Sequence, residues 1–184
     1  MRGKRRGILC LICSIPFLAS AQYYRRLAAS DFQGVPSAGN QALAYTDCDV
    51  KYTYQATGRN NSYSVDFNVQ LVFNRDKSFI HLNWIKDQDM LLQVLRHEQG
   101  HYNIAYLMRA ELYRAFRQAH YTANYAQEIG AIFRQVDAKY QKINADYERQ
   151  TMHMQNDIKQ EEWNAWFSRA IDNAPVRGSA LAER

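Results

Sequence analysis

The chain has 184 residues and a formal net charge of +5, from 23 Lys and Arg against 18 Asp and Glu. Four of the cations lie within the first six residues, and without them the balance is 19 against 18, a net charge of +1. The remainder of the chain therefore lacks the basic excess typical of nucleic-acid-binding proteins, so we expect no nucleic-acid partner.

Residues 1–21 predict a signal peptide. A basic start is followed by an apolar run from Gly7 to Leu18 and by the small residues Ala19-Ser20-Ala21 that a signal peptidase reads. The apolar run is shorter than the about 20 residues of a membrane span, although a retained N-terminal anchor is the alternative. We expect cleavage before Gln22 and an exported protein, periplasmic or secreted, with no stable membrane span.

Residues 22–173 predict a single domain, and residues 174–184 predict a flexible tail because they combine Pro175, Gly178 and Ser179 at the chain end. Only Cys48 remains once the leader is removed, which excludes an intrachain disulfide. The simplest interpretation of Cys48 is a small buried hydrophobic residue.

The N-terminal half predicts antiparallel strands. Apolar and polar residues alternate from Cys48 to Tyr54 and again from Tyr63 to Phe73, which is typical of strands with one buried face. The intervening segment Thr57–Asn61 predicts a hairpin loop. A third strand is expected near Phe79–Trp84, giving a sheet of at least three strands.

The C-terminal half predicts three helices. The first begins near Met90, capped by Asp87 or Asp89, and extends to about Gln118. The second carries apolar residues spaced three and four apart, namely Ile129, Phe133, Val136, Tyr140, Ile143 and Tyr147. The third covers about Asn156–Ile171. The fold class predicted is α+β, a small antiparallel sheet packed on long helices.

The run His97-Glu98-Gln99-Gly100-His101 lies within the first helix. Residues four apart share a helical face, so both imidazoles can bind one Zn²⁺, and a catalytic zinc site keeps a position open for water. Glu98 is placed to take a proton as water attacks. Gly100 lowers helix propensity by about 1 kcal/mol relative to Ala, which suggests a group close to the backbone. The run predicts a zincin-like metal helix with His97 and His101 as ligands and Glu98 as catalytic base.

A catalytic zinc site needs a third protein ligand, and the residues leave it open. Glu111 is about 15 Å beyond His101 along a continuous helix, too far to share the ion, and His120 is farther still. Three candidates remain, one on the third strand, one at the start of the second helix and one after that helix: His81, Glu128 and His153.

Three other segments accompany this run: DFQGVP at residues 31–36, FNRDKS at 73–78, and YERQTMH at 147–153, followed by Trp163. Together with the His-Glu-Gln-Gly-His centre they resemble a bacterial family of unknown function whose members are predicted to be secreted zinc-dependent proteases. The resemblance spans nearly the whole mature chain and implies that His153 is the third ligand. The chain departs from the family pattern at Ala29, where an aromatic is common, at Glu148, which replaces the usual Asp, and at Met154, where a small residue is frequent.

Two functions from different classes are compatible with these patterns. The first is an exported zinc-dependent hydrolase, a metallopeptidase of peptide or protein substrates that uses a water activated by Glu98. The second is a non-catalytic envelope protein that keeps the fold, for which a closed four-ligand metal site would be the signature. Tyr147 is either a hydrogen-bond donor to developing charge or, as its spacing favours, a core residue. The sequence does not predict the oligomeric state.

Overall fold

Two small antiparallel sheets and three helices form the α+β fold of the computed structural model, which describes residues 24–37, 39–59 and 62–174. The predicted signal peptide and residues 175–184 of the predicted tail lie outside these residues, whereas Ala174 is buried against the core. In chain order the strands are β1 Ala44–Tyr45, β2 Cys48–Arg59, β3 Ser62–Phe73 and β4 Phe79–Ile80. The helices are α1 Gln88–Gln118, α2 Tyr125–Thr151 and α3 Asp157–Asp172.

Strands β2 and β3 form a long hairpin in which Cys48 pairs with Phe73 and Arg59 pairs with Ser62. The alternation predicted for both strands is confirmed, and Val69 and Leu71 point into the core. The predicted loop at Thr57–Asn61 is wrong at its start, because β2 continues through Arg59. At that point the ring of Tyr63 lies against Gly58 and would be 2.7 Å from a Cβ atom there, so glycine allows the strands to stay paired.

The predicted third strand does not join this hairpin. Only Phe79–Ile80 is a strand, and it pairs with Ala44–Tyr45 in a separate sheet. The segment Leu82–Trp84 is a short 3₁₀ helix. Next to it the ring of His81 stacks on the ring of Trp84, with 4.1 Å between the ring centroids. Local ring contact within a turn has therefore taken the place of the strand that the apolar residues suggested.

The three predicted helices are confirmed with small shifts at their ends. Asp87 caps α1 by accepting a hydrogen bond from the Met90 amide at 2.8 Å, and Asn156 caps α3 in the same manner. Helix α1 is the centre of the fold and packs against β3, α2 and α3. Within the described residues no helix has both the length and the apolar character of a membrane span.

Two of the segments behind the family resemblance contact each other. The amide of Gln33 donates to the carbonyl of Arg75, and the amide of Gly34 donates to the carbonyl of Ser78. A Cβ atom at Gly34 would lie 2.9 Å from backbone atoms of the 76–78 turn, so only glycine fits so close to it. These hydrogen bonds fix the N-terminal segment to the turn that leads into β4.

Cys48, at the start of β2, is partly buried. Burial raises the pKa of its thiol to about 12. Almost none of the thiolate is then present at neutral pH, in agreement with the interpretation of Cys48 as a small apolar side chain.

Candidate metal centre

The central feature of α1 is the pair His97 and His101, which meets Glu148 from the end of α2. The two Nε2 atoms are 3.3 Å apart. Glu148 Oε1 lies 2.8 Å from Nε2 of His101 and 3.6 Å from Nε2 of His97. Three potential ligand atoms from two helices therefore converge on one point.

The spacing of these atoms fits a tetrahedral metal ion. Ligands about 2.0–2.1 Å from a tetrahedral Zn²⁺ lie about 3.3 Å from one another, which is within about half an ångström of all three distances. Two imidazoles and one carboxylate are also a donor set found in catalytic zinc sites. Among the described residues, this trio is the one group of ionisable side chains with metal-ligand spacing.

Hydrogen bonds from neighbouring helices orient both histidine rings. Nδ1 of His97 is 3.2 Å from Oε1 of Gln160 on α3, and Nδ1 of His101 is 2.8 Å from Oδ1 of Asn144 on α2. An amide oxygen accepts a hydrogen bond, so each Nδ1 carries the proton and each Nε2 presents a lone pair to the centre. Residues that hold ligating histidines in this manner are a regular part of metal sites, and the sequence patterns did not identify either of them.

Electrostatics within the trio favour an ionised carboxylate. Burial acts to raise the pKa of Glu148, but hydrogen bonds and charge from His101 and His97 outweigh it and hold that pKa well below its usual range. For His101, burial acts to lower the pKa, whereas contact with Glu148 and charge from Glu98 raise it above the ordinary value. Both shifts reflect the attraction between the Glu148 carboxylate and positive charge at the histidines, and a metal cation at the same point would be attracted in the same way.

Glu98 follows the first histidine and is 4% exposed, with no hydrogen-bond partner for its Oε2 atom. Burial raises the pKa of its carboxyl, although nearby His101 opposes the rise. A buried carboxylate oxygen without a partner is costly unless a ligand or water satisfies it. Glu98 is also among the residues that line the cavities on both sides of the trio, so its side chain borders space that a substrate or water can enter.

The glycine within the run is explained by Tyr147. A Cβ atom at position 100 would lie 2.2 Å from the Tyr147 hydroxyl oxygen. That hydroxyl donates to the carbonyl of His97 at 2.9 Å and accepts from Nε2 of Gln160 at 2.9 Å. Tyr147 is fully buried, and its ring stacks on His97 at 4.9 Å. It is therefore a core residue that fixes the backbone at His97, and the close approach predicted at Gly100 is confirmed.

The remaining residue of the run, Gln99, fixes the N-terminal segment to α1. Its Oε1 accepts from the Leu27 amide at 2.7 Å, and its Nε2 donates to Oδ1 of Asn103 at 3.0 Å. Leu27 belongs to the buried core. The three positions between the two histidines thus differ in what they contribute. Glu98 lines the cavities, Gln99 binds the N-terminal segment, and Gly100 leaves room for the Tyr147 hydroxyl.

His153, the ligand that the family resemblance implies, lies outside the trio. It follows α2 in the turn Met152–Met154, where three consecutive residues adopt positive φ angles of 51°, 51° and 69°. Its side chain is 80% exposed, and its Nδ1 lies 2.6 Å from the other oxygen of Glu148, Oε2. In the structure Glu148 contributes the third potential ligand atom of the trio, and His153 contacts the other oxygen of Glu148.

The other candidates lie apart from the trio. Glu111 is hydrogen-bonded to Lys139 and Tyr140, and Glu128 is hydrogen-bonded to Thr122 before α2. His120 lies beyond the end of α1, and His81 stacks on Trp84. Glu148 was not among the predicted ligands, because its position beside His101 depends on how α2 packs against α1.

Comparison with known proteins gives a family match. The profile of a family described as bacterial proteins of unknown function, DUF922, matches residues 21–154. Because the match covers well over half of the 184 residues, the chain belongs to this family. Neither the curated proteins nor the solved structures gave a match.

Proposed function

We propose that this DUF922 protein is a zinc-dependent hydrolase, a metallopeptidase, with Zn²⁺ on His97, His101 and Glu148 and with Glu98 as general base. The observation that supports it most is the convergence of two Nε2 atoms and one carboxylate oxygen beside a buried carboxylate whose Oε2 has no partner. Three protein ligands leave one tetrahedral position for water, which is the arrangement of catalytic zinc sites.

The chemistry divides between the ion and the chain. When bound, zinc supplies a Lewis acid that lowers the pKa of a coordinated water toward 7. Glu98 accepts the proton of the attacking water and then delivers it to the leaving amine. Because burial raises the pKa of Glu98 from its ordinary value, the carboxyl is better matched to both proton transfers near neutral pH.

The surrounding groups keep this arrangement in place. Gln160 and Asn144 orient the two imidazoles, and Tyr147 fixes the backbone at His97. Orienting these groups before the substrate arrives lowers the barrier because little reorganisation is left for the reaction itself. We further propose, from the predicted signal peptide, that the protein acts outside the cytoplasm on peptide or protein substrates.

The second candidate is a non-catalytic envelope protein with a closed metal site. The contact between His153 and Glu148 favours it, because a small movement of the turn that carries His153 would bring a fourth protein ligand to the trio. A closed site has no use for a buried acid with a free oxygen, and Glu98 supplies such an acid. We therefore give the hydrolase precedence.

The deciding experiment compares zinc-loaded Glu98→Gln with the zinc-loaded parent on a broad peptide library. Glutamine keeps the size of the side chain but cannot accept the proton, so cleavage should fall by about 10²–10⁴-fold while zinc content and fold persist. Glu162→Gln, on the exposed face of α3, is the matched control and should cleave like the parent. Chelation should abolish cleavage, and added Zn²⁺ should restore it.

Two results would contradict the proposal. Equal cleavage by parent and Glu98→Gln would remove Glu98 from the mechanism. A parent that binds zinc through four protein ligands and cleaves no peptide would favour the non-catalytic protein.

A further inference from the structure

Two cavities flank the trio and share Ala44, Glu98 and Glu148 in their walls. The larger, which we call the acidic cleft, has a volume of about 520 Å³. Its floor is α1, one wall is the face of α2 that carries Glu148, and the other wall is the 44–49 segment. The smaller, which we call the apolar pocket, has a volume of about 360 Å³.

The acidic cleft has room for an extended peptide. Its α2 wall extends from Glu148 to Asp137, eleven residues or about 16 Å along the helix. An extended chain covers that distance in about five residues. A substrate with its reacting bond at the trio would therefore place side chains several residues away near Asp137.

Carboxylates are the main charged groups in the lining of this cleft. Besides Glu98 and Glu148 it contains Asp47, Asp49 and Asp137, and no Lys or Arg is among the described residues that line it. Their partners are mostly neutral: Asp47 accepts from the side-chain amide of Asn74, and Asp137 accepts from that of Gln141 at 2.7 Å. Asp49 is partly compensated, since Lys51 lies 3.5 Å away. Asp47 and Asp137 are therefore the two carboxylates best placed to receive a cation from a ligand.

A bound divalent metal would not neutralise all of the negative charge that lines the acidic cleft. The charges of Glu98 and Glu148 together offset a doubly charged ion, which leaves the Asp side chains of the cleft uncompensated by it. Glu98 is also the independent sign that the cleft receives a ligand, because this buried residue lines the cleft and its Oε2 has no hydrogen-bond partner.

The apolar pocket on the other side of the trio has a different character. Glu98, Glu148, His97 and His153 line it where it meets the trio, and the rest of its lining is apolar except for Gln41, namely Ala42, Leu43, Ala44, Val94 and Met154. Val94 is buried, so part of this surface is already excluded from water. One side of the trio thus offers an acidic subsite for a cationic side chain, and the other side offers an apolar subsite.

We propose that the protein selects peptide segments with lysine or arginine side chains on the acidic-cleft side of the reacting bond and an apolar side chain on the other. Asp47 and Asp137 receive the basic groups. That such peptides are substrates rests on the proposed hydrolase function. The preference for binding them can be measured without turnover.

The test uses zinc-loaded Glu98→Gln, which holds peptides without cleaving them, and three fluorescent peptides identical except for lysine, norleucine or glutamate at the basic positions. Fluorescence anisotropy should show the lysine peptide binding about 3–10-fold tighter than the norleucine peptide, as expected for two partly exposed ion pairs. The glutamate peptide should bind weakest. High salt should reduce the difference because it screens such pairs.

Matched variants locate the effect. Asp137→Asn in the same background should weaken the lysine peptide about 2–5-fold and leave the norleucine peptide unchanged. Asp66→Asn, on the exposed outer side of β3, changes the net charge equally and should alter neither. An Asp66→Asn effect as large as that of Asp137→Asn would attribute the preference to overall charge and overturn the assignment.

The two proposals fail separately. Equal affinity for all three peptides overturns the inference, whether or not the parent cleaves any of them. A lysine preference that Asp137→Asn removes supports it, even if the zinc-loaded parent cleaves nothing, and in that case the hydrolase proposal alone is contradicted.

Discussion

Helices α1 and α2 both supply the candidate metal centre, but they do so in different ways. Helix α1 places His97 and His101 by spacing alone, since residues four apart share a face of any helix. Helix α2 contributes Glu148 only because α1 and α2 pack against each other, with Tyr147 filling the gap that Gly100 leaves. The comparison shows that one part of a site can be positioned by spacing along a helix and another part by the packing of two helices. Different substitutions should therefore disrupt the two parts.

The largest expected effect is the loss of zinc affinity when a candidate ligand is removed from either helix. His101→Ala on α1 and Glu148→Ala on α2 each remove one of the three converging atoms, so each should lower zinc affinity by more than about 100-fold, beyond what loss of an orienting partner costs. Zinc content and competitive chelator titration of the purified proteins measure it. Circular dichroism checks that the fold persists.

His153→Ala is the matched control on the turn after α2. With Glu148 as the third ligand, this variant should lose less zinc affinity than Glu148→Ala and no more than the about 10–100-fold of an outer partner, because His153 contacts only the far oxygen of Glu148 from an exposed position. If His153→Ala loses zinc and Glu148→Ala keeps it, the ligand implied by the family resemblance is correct and the α2 half of the site is wrongly assigned.

The next largest effect compares a glycine on each helix. Gly100→Ala places a methyl group within 2.4 Å of both the hydroxyl oxygen and the adjoining ring carbon of Tyr147. Such overpacking costs about 1–3 kcal/mol of unfolding free energy. At about 2–4 °C per kcal/mol for a domain of this size, Gly100→Ala should unfold about 2–12 °C below Gly130→Ala, which gains the same helix propensity without the clash.

Gly130→Ala on α2 is the control, since its added Cβ would meet only the flexible end of Arg134 at 3.3 Å. Alanine favours helix over glycine by about 1 kcal/mol, so this variant should be neutral or slightly more stable. Equal destabilisation by both substitutions would mean that the contact with Tyr147 does not govern the α1–α2 packing.

Sequence patterns predicted what depends on near neighbours along the chain. The β2–β3 alternation, the Asp87 cap and the His97–His101 pair all express periodicities of one strand or helix, and all appear in the structure. The close approach at Gly100 was also predicted, because a glycine inside a helix is unfavourable without a reason.

What depends on tertiary packing was not predicted. The identity of the group at Gly100, the orienting amides Asn144 and Gln160, and the position of Glu148 each require knowing how α2 and α3 pack on α1. The strand expected at Phe79–Trp84 failed for a related reason. Its residues are apolar enough for a strand, but its pairing partner is Ala44–Tyr45, too short a segment to show an alternating pattern.

The smallest of the three effects concerns the amides that orient the histidines. Asn144→Ala on α2 and Gln160→Ala on α3 each remove the acceptor for an imidazole Nδ1–H while leaving all three ligand atoms in place. Outer partners of this kind are worth about 10–100-fold in metal affinity, so each variant should retain zinc but release it to a weaker chelator than the parent does. Gln141→Ala is the control, because Gln141 lines the same cleft yet donates only to Asp137. Asn144→Ala and Gln141→Ala with the same zinc affinity would mean that the Asn144 hydrogen bond does not orient His101. In that case Glu148 would be the one residue through which the packing of α2 against α1 affects zinc affinity.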